Sequence, residues 1–226
     1  MSFMDKRSYI NHAKAWECIE DHEAARETPF VRHARTLAQQ AQLPACSAAV
    51  GGLLNTYETL THASSVIVIG TGSLVETAQL VEGLHGEGKL TAVDSSVQGG
   101  AQVRMLLKSM EDDTRTTLRM VSAQPGVYLQ RLNGADYDLI VVCGDASNYE
   151  PAYEQAPRLL KHGGTIVFTD ALAMASPHAK GGLTNPADRS PKAVMMRGLL
   201  DRIEDDERFV TALTPAGTGL LIAGYR

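Results

Sequence analysis

The sequence predicts an α/β fold: a seven-stranded, mostly parallel sheet covered by helices on both faces, behind an N-terminal helical segment. Three observations carry this. Ser65-Val66-Ile67-Val68-Ile69 runs into Gly70-Thr71-Gly72 and then into a helix-like pattern. A short run that is apolar throughout is a strand buried on both faces, as in a parallel sheet. Similar runs then alternate with helical patterns of roughly ten to sixteen residues, which is how βαβ units read. Finally, Phe209–Leu213 and Leu220–Ala223 are separated only by Thr214-Pro215-Ala216-Gly217-Thr218-Gly219. That connection allows a hairpin but no crossover, so the last strand must run antiparallel to its neighbour.

Taken in order, residues 5 to 43 are predicted helical, with Ile10, Ala13, Trp16, Ile19 and Glu20 on related faces. Thr28-Pro29 starts a second helix, a Thr N-cap with Pro at the first helical position, which runs from Phe30 to about Gln42. A third helix over about 47–60 has Val50, Leu53, Leu54, Tyr57 and Leu60 at helical spacing. His12, His22 and His33 are expected to be solvated. Strands are predicted near 65–70, 89–94, 116–121, 137–143, 164–169, 208–214 and 218–225. Helices are predicted near 73–85, 96–111, 124–133, 149–161 and 189–204.

The first strand unit also has a binding signature. Gly70 and Gly72 permit a tight turn and a close backbone approach, and the free N–H groups of the following helix point at the same place. Asp94 ends the next apolar run, where a carboxylate can accept both hydroxyls of a ribose. The unit reads as a nucleoside-binding βαβ, against the plainer alternative of a structural turn and an N-cap. The pyrophosphate fingerprint G-x-G-x-x-G fails at Val75. This disfavours NAD and FAD and leaves a ligand with a ribose but no pyrophosphate, such as S-adenosylmethionine.

At 226 residues the chain suits one domain, 1–226, with a helical segment over 1–62 and an α/β core over 63–226. A net charge of −5 without a basic block argues against nucleic acid as a partner. The apolar runs are too short to cross a bilayer, so no membrane partner is expected. No apolar stretch follows Met1–Arg7 as a secretory signal would require. Cys18, Cys46 and Cys143 lack metal-ligand spacing, and an odd cysteine count without an export signal points to a reducing cytoplasm.

Four passages together resemble the O-methyltransferases related to catechol and caffeoyl-CoA O-methyltransferase, most closely a divergent bacterial branch of actinobacterial type. They are Gly70-Thr71-Gly72 with Asp94; Tyr137-Asp138-Leu139-Ile140-Val141-Val142-Cys143-Gly144-Asp145-Ala146-Ser147-Asn148-Tyr149, similar to YDLVFIDADKxNY; Leu159–Asp170, similar to LLRPGGxIVxDN; and Asp205–Arg208 with Leu213–Leu220, similar to DxR…LPxGDGL. The resemblance covers about residue 44 to the C-terminus. It implies the class I methyltransferase fold, a Rossmann-like three-layer sandwich. It also implies S-adenosylmethionine as cofactor, S-adenosylhomocysteine as product, a small-molecule methyl acceptor and a homodimer. In the family a divalent cation, usually Mg²⁺, holds two adjacent acceptor hydroxyls as Lewis acid and template, and a lysine can take the proton.

This chain departs from that pattern at the chemistry. The family's metal-ligand positions fall on Cys143, Asp170 and Ala171, and its lysine falls on Ala146. One oxygen ligand of the three remains, so a divalent metal is not expected. At the cofactor end Val68 replaces a glutamate, Leu74 replaces the third glycine, and Glu76 stands where a small hydroxylated residue opens the helix. Glu76 is expected either to turn away or to take the cofactor's amino group.

The candidate cofactor-binding residues are Gly70, Thr71, Gly72, Asp94, Ser95, Ala123, Gln124, Cys143 and Gly144. Gln124 reads equally as the start of a solvated helix, and Cys143 as a packing residue. Asp145 and Asp170 are the acids left as base or orienting group. Residues 171–190 form a long loop, read as a lid or as plain surface. Met174, Met195 and Met196 read as core packing, against the alternative of an apolar acceptor pocket or a subunit interface. The expected activity is a metal-independent O-methyltransferase. The alternative is a catalytically degenerate relative acting as an S-adenosylmethionine-binding or structural dimer. A nicotinamide dehydrogenase is third, opposed by Val75 and the terminal hairpin.

Overall fold

A computed structural model describes residues 6–175 and 178–226, with side chains from residue 11 onward. Three helices come first: α1 (Lys6–Arg26), α2 (Pro29–Gln40) and α3 (Ala48–Thr61). The core then alternates β1 (Ser65–Ile69), α4 (Leu74–Gly83), β2 (Lys89–Asp94), α5 (Val97–Lys108), β3 (Thr117–Ser122), α6 (Pro125–Leu129), β4 (Tyr137–Val142), α7 (Tyr149–Leu159) and β5 (Leu160–Thr169). It closes with α8 (Pro191–Glu204), β6 (Phe209–Thr214) and β7 (Leu220–Tyr225).

The expected helix starts form for the expected reasons. The Thr28 hydroxyl accepts from Val31 N at 3.2 Å with Pro29 behind it, and the Ser47 hydroxyl accepts from Val50 N at 3.2 Å. His12, His22 and His33 are exposed. α1 forms within the expected helical segment, with Trp16 and Glu20 half-buried on its apolar face. Ala13 is exposed and Ile19 is 51 % exposed, so most of that apolar face meets solvent. Ile10 lies outside the described side chains.

The sheet order is β3-β2-β1-β4-β5-β7-β6. The first five strands are parallel, and β7 runs antiparallel to both β5 and β6. β1 is buried along its whole length, as an all-apolar central strand must be. Its alternate residues feed two cores. Val66 and Val68 pack with Val31, Leu54 and Leu80, while Ile67 and Ile69 pack with Ile140, Phe168 and Leu199. The N-terminal helices therefore join the layer on one face of the sheet.

Three element ends differ from expectation. α5 stops at Lys108 and α6 at Leu129, with turns beyond them. β5 begins at Leu160 rather than near 164, so Lys161-His162-Gly163-Gly164 lies inside the strand. Gly163 has φ +82° and the pairing with β4 shifts register there, so His162 is exposed on an irregular strand start.

Register aligns the strands' carboxyl ends. Ile69 pairs with Val93 and with Val142, and Val142 pairs with Phe168. In an open parallel sheet this rim is where ligands bind.

Candidate active site

The turn after β1 is locked from both sides. Gly70 has φ +130°, and a Cβ there would lie 2.2 Å from the Cys143 carbonyl oxygen. Gly72 has φ +77°, and its Cβ would meet Leu43 and Pro44. Both glycines are thus demanded by packing between β1, β4 and the connection before α3.

Around this turn opens a cavity of about 1050 Å³. Thr71, Gly72, Cys143, Gly144, Asp145 and Asp170, all picked from the sequence, lie on its wall. Gly217 and Thr218 of the β6–β7 connection join them, because Ala171 N and Leu172 N donate to Gly219 O and Thr218 O. The N-terminal helices contribute Trp16, Glu20 and Arg35.

Asp94 ends β2 and is buried. Its Oδ1 accepts from Ser96 N at 2.7 Å and from the Thr71 hydroxyl at 3.2 Å, while Oδ2 has no partner. Burial raises its pKa above the usual carboxylate value, against the opposing effect of those donors. Asp94 lies behind the cavity wall. Its neighbours Ser95, Ala123 and Gln124 sit on the same rim, Ser95 and Gln124 exposed, with Ala123 N donating to Asp94 O at 3.1 Å. None of these three lines the cavity.

Glu76, in the first turn of α4, faces the cavity rather than solvent. It is 6 % exposed, and its Oε2 is buried without a partner. Burial pushes its carboxyl up to about 7, moderated by its own backbone N–H, by Arg35 and by the Cys143 and Cys46 thiols. Arg35 is itself paired with Glu27 and donates to Cys46 O at 2.9 Å. Burial holds the Cys143 thiol well above its ordinary range, with the negative charge of Glu76 adding to the effect. Cys143 is therefore a neutral thiol here, which suits a packing role rather than a nucleophile.

Asp170 ends β5 in a left-handed conformation, φ +47°. Its Oδ1 accepts from Met174 N at 2.9 Å and Ala175 N at 3.0 Å. Its Oδ2 is ion-paired with Lys192 at 2.9 Å. Asp145 is exposed, with Oδ2 3.4 Å from the Thr71 hydroxyl.

Lys192 and Arg35 were not picked from the sequence. A lysine in the first turn of a helix, directly after Ser190-Pro191, opposes the helix dipole and was a usable signal. Arg35 had none, because only folding brings α2 to the rim.

These residues do not fit a divalent cation. Of the family's three ligand positions, one holds the soft sulfur of Cys143, one the buried apolar Ala171, and the third, Asp170, is committed to two N–H groups and an ammonium. Among the described residues, no group of three or more His, Cys, Asp or Glu side chains could hold a metal ion.

The loop between β5 and α8 is anchored. Asp188 Oδ2 accepts from Lys180 N and Gly182 N, and Arg197 donates to Asp188 O, Gly182 O and Asn185 O. Met196 is buried, Met195 packs against the core, and Met174 is 43 % exposed, so the core reading of Met174 is corrected. No helix among the described residues is long and apolar enough to cross a membrane.

Comparison with known proteins agrees with this fold. A protein of Mycobacterium sp. (strain JLS), an O-methyltransferase homologue, is 31% identical over 199 residues, which is 87% of this chain and 86% of that one. A solved structure from Corynebacterium glutamicum superposes with a TM-score of 0.80 at 21% identity, covering 93% of this chain and 97% of its own. The O-methyltransferase from Bacillus cereus, solved in complex with S-adenosylhomocysteine, gives 0.78 at 17% identity, covering 94% and 99%. The sequence model of the family described as O-methyltransferase matches residues 20–225, and this chain belongs to that family.

Proposed function

We propose that the chain transfers a methyl group from S-adenosylmethionine to an oxygen of a small-molecule acceptor, without a divalent cation. The observation that carries this reading is the acid-rich cavity at the carboxyl ends of β1, β4 and β5, with Glu76 in its wall keeping one buried oxygen without a partner. When bound, S-adenosylmethionine supplies an electrophilic methyl on a sulfonium. Glu76 receives the cofactor's amino group and Arg35 lies near its carboxylate. The adenosine extends beyond the cavity onto the neighbouring rim, with Asp94 Oδ2 toward its ribose hydroxyls and Ser95, Ala123 and Gln124 alongside. Gly70, Thr71, Gly72, Cys143 and Gly144 form the floor. Asp170 orients the acceptor, and Asp145, at the open rim, takes its proton. Catalysis then rests on proximity and alignment.

The test is calorimetric titration with S-adenosylhomocysteine, with and without Mg²⁺. Binding that ignores the metal is expected. No binding in either condition would favour the second reading, a catalytically degenerate relative, which the losses at Cys143, Ala146 and Ala171 support. Glu76→Gln is expected to weaken S-adenosylhomocysteine about tenfold while leaving 5′-methylthioadenosine, which lacks the amino-acid part, unchanged. Tighter binding by Glu76→Gln would instead mean that Glu76 repels the cofactor's carboxylate. A cytoplasmic homodimer completes the proposal, and sedimentation showing only monomer at micromolar concentration would remove the dimer.

A further inference from the structure

Lys192 occupies an unfavourable place for a cation. It is the second residue of α8, where free N–H groups already concentrate positive charge. Its side chain is only 10 % exposed. A buried ammonium is costly unless it is paired and hydrogen-bonded.

Three groups compensate it. Asp170 Oδ2 lies 2.9 Å from Nζ, Gly144 O accepts from Nζ at 2.8 Å, and the Tyr149 ring centroid lies 4.6 Å away. They come from the end of β5, the turn after β4 and the start of α7, which converge at this rim. A carboxylate oxygen, a carbonyl oxygen and a π face make a donor set for a cation. The carboxylate is held in place, since the other oxygen of Asp170 is bound by Met174 N and Ala175 N.

We propose that the Lys192 ammonium is the resident cation of the acceptor site, standing between Asp170 and the Gly144 carbonyl where a divalent ion would otherwise be held. It presents positive charge to an acceptor oxygen from the cavity wall. Unlike a metal ion it is covalently part of the chain. Ion-paired with Asp170 and donating to the Gly144 carbonyl, it cannot chelate two acceptor oxygens as a metal can. Lys192 then explains why the chain tolerates Cys143 and Ala171, since no metal remains for them to ligate. The proposal rests on the methyltransferase reading only for the identity of the oxygen it meets. The cation position can be tested without turnover.

The probe is Mn²⁺ alone, followed by the loss of its free electron-paramagnetic-resonance signal in the presence of the full chain. The wild type is expected to bind no Mn²⁺ at this site at about 1 mM. Lys192→Asp replaces the ammonium with a carboxylate facing Asp170 and the Gly144 carbonyl. It is expected to bind one Mn²⁺ at least about tenfold more tightly than the wild type, and adding Asp170→Asn is expected to abolish the gain. Lys192→Glu serves if Lys192→Asp does not fold, with folding judged by thermal unfolding. Two results would overturn the proposal. One is wild-type Mn²⁺ binding that Asp170→Asn removes. The other is a folded acidic variant that binds no more Mn²⁺ than the wild type. Failure of S-adenosylhomocysteine to bind, with the Mn²⁺ pattern intact, would remove the cofactor reading and leave the cation site standing.

Discussion

The two ends of the sheet carry the same kinds of charge and use them in opposite ways. At the amino end, Asp138 Oδ2 accepts from Ser64 N, the Ser64 hydroxyl and Ser65 N, and Oδ1 pairs with Lys161 at 2.7 Å. Burial alone would raise its pKa. The Lys161 ammonium and the Ser64 donors outweigh that and hold it below the usual carboxylate value. At the carboxyl end, Glu76 and Asp94 each keep one buried oxygen without a partner, and burial drives both carboxyls up. A satisfied carboxylate fastens strands together. An unsatisfied one carries a cost that a ligand can relieve, which is why such groups concentrate at sites.

Glu58 limits that rule. It is fully buried with both oxygens unpartnered, yet it lies in α3 against Gly83 of α4, beside a cleft of about 220 Å³ well apart from the strands' carboxyl ends. An unpartnered acid marks a site only where other functional groups converge on it.

The largest expected effect comes from Gly70→Ala. The left-handed backbone and the Cys143 carbonyl leave no room for a methyl group, so a loss of more than about 3 kcal/mol is expected in urea unfolding. Unchanged stability would show that the β1 and β4 ends are not locked together. Next is Glu58→Gln. Burial lifts the Glu58 carboxyl from an ordinary 4.5 to about 9. The folded state therefore keeps a proton that the unfolded chain releases, and stability is lost as pH rises from about 4.5 to 9. The variant's advantage should grow from near zero at about pH 4 to on the order of 2–3 kcal/mol at about pH 7. A difference that does not change with pH would place the carboxyl in contact with water. The tenfold loss of S-adenosylhomocysteine affinity expected for Glu76→Gln is a smaller energy, about 1.4 kcal/mol. Smallest is Asp138→Asn, expected to cost about 1 kcal/mol of stability and nothing in S-adenosylhomocysteine affinity. A matching loss of affinity would erase the contrast between the two ends.

Much of the site was legible beforehand because strand ends write themselves into sequence. Gly70, Thr71, Gly72, Cys143, Gly144, Asp145 and Asp170 each follow an apolar run, and parallel register carries them to one rim. Ser95, Ala123 and Gln124 follow strands too, but those strands lie farther along the sheet, and their rim stands outside the cavity. Arg35, Glu20 and Trp16 come from helices before the first strand, where no local pattern reveals which face will meet the rim.

By itself the sequence determined the strand–helix alternation, the terminal hairpin, the turn at Gly70-Thr71-Gly72 and the replacement of two of the family's three metal ligands. These depend on neighbouring residues or on residue type at a motif position. Only the tertiary structure decided that Glu76 faces inward and that β7 inserts between β5 and β6. It alone joined Lys192 to Asp170 and Gly144. The reason is physical. The cost of burying a charge and the groups that offset it come from segments distant in the chain, so neither exists until those segments pack.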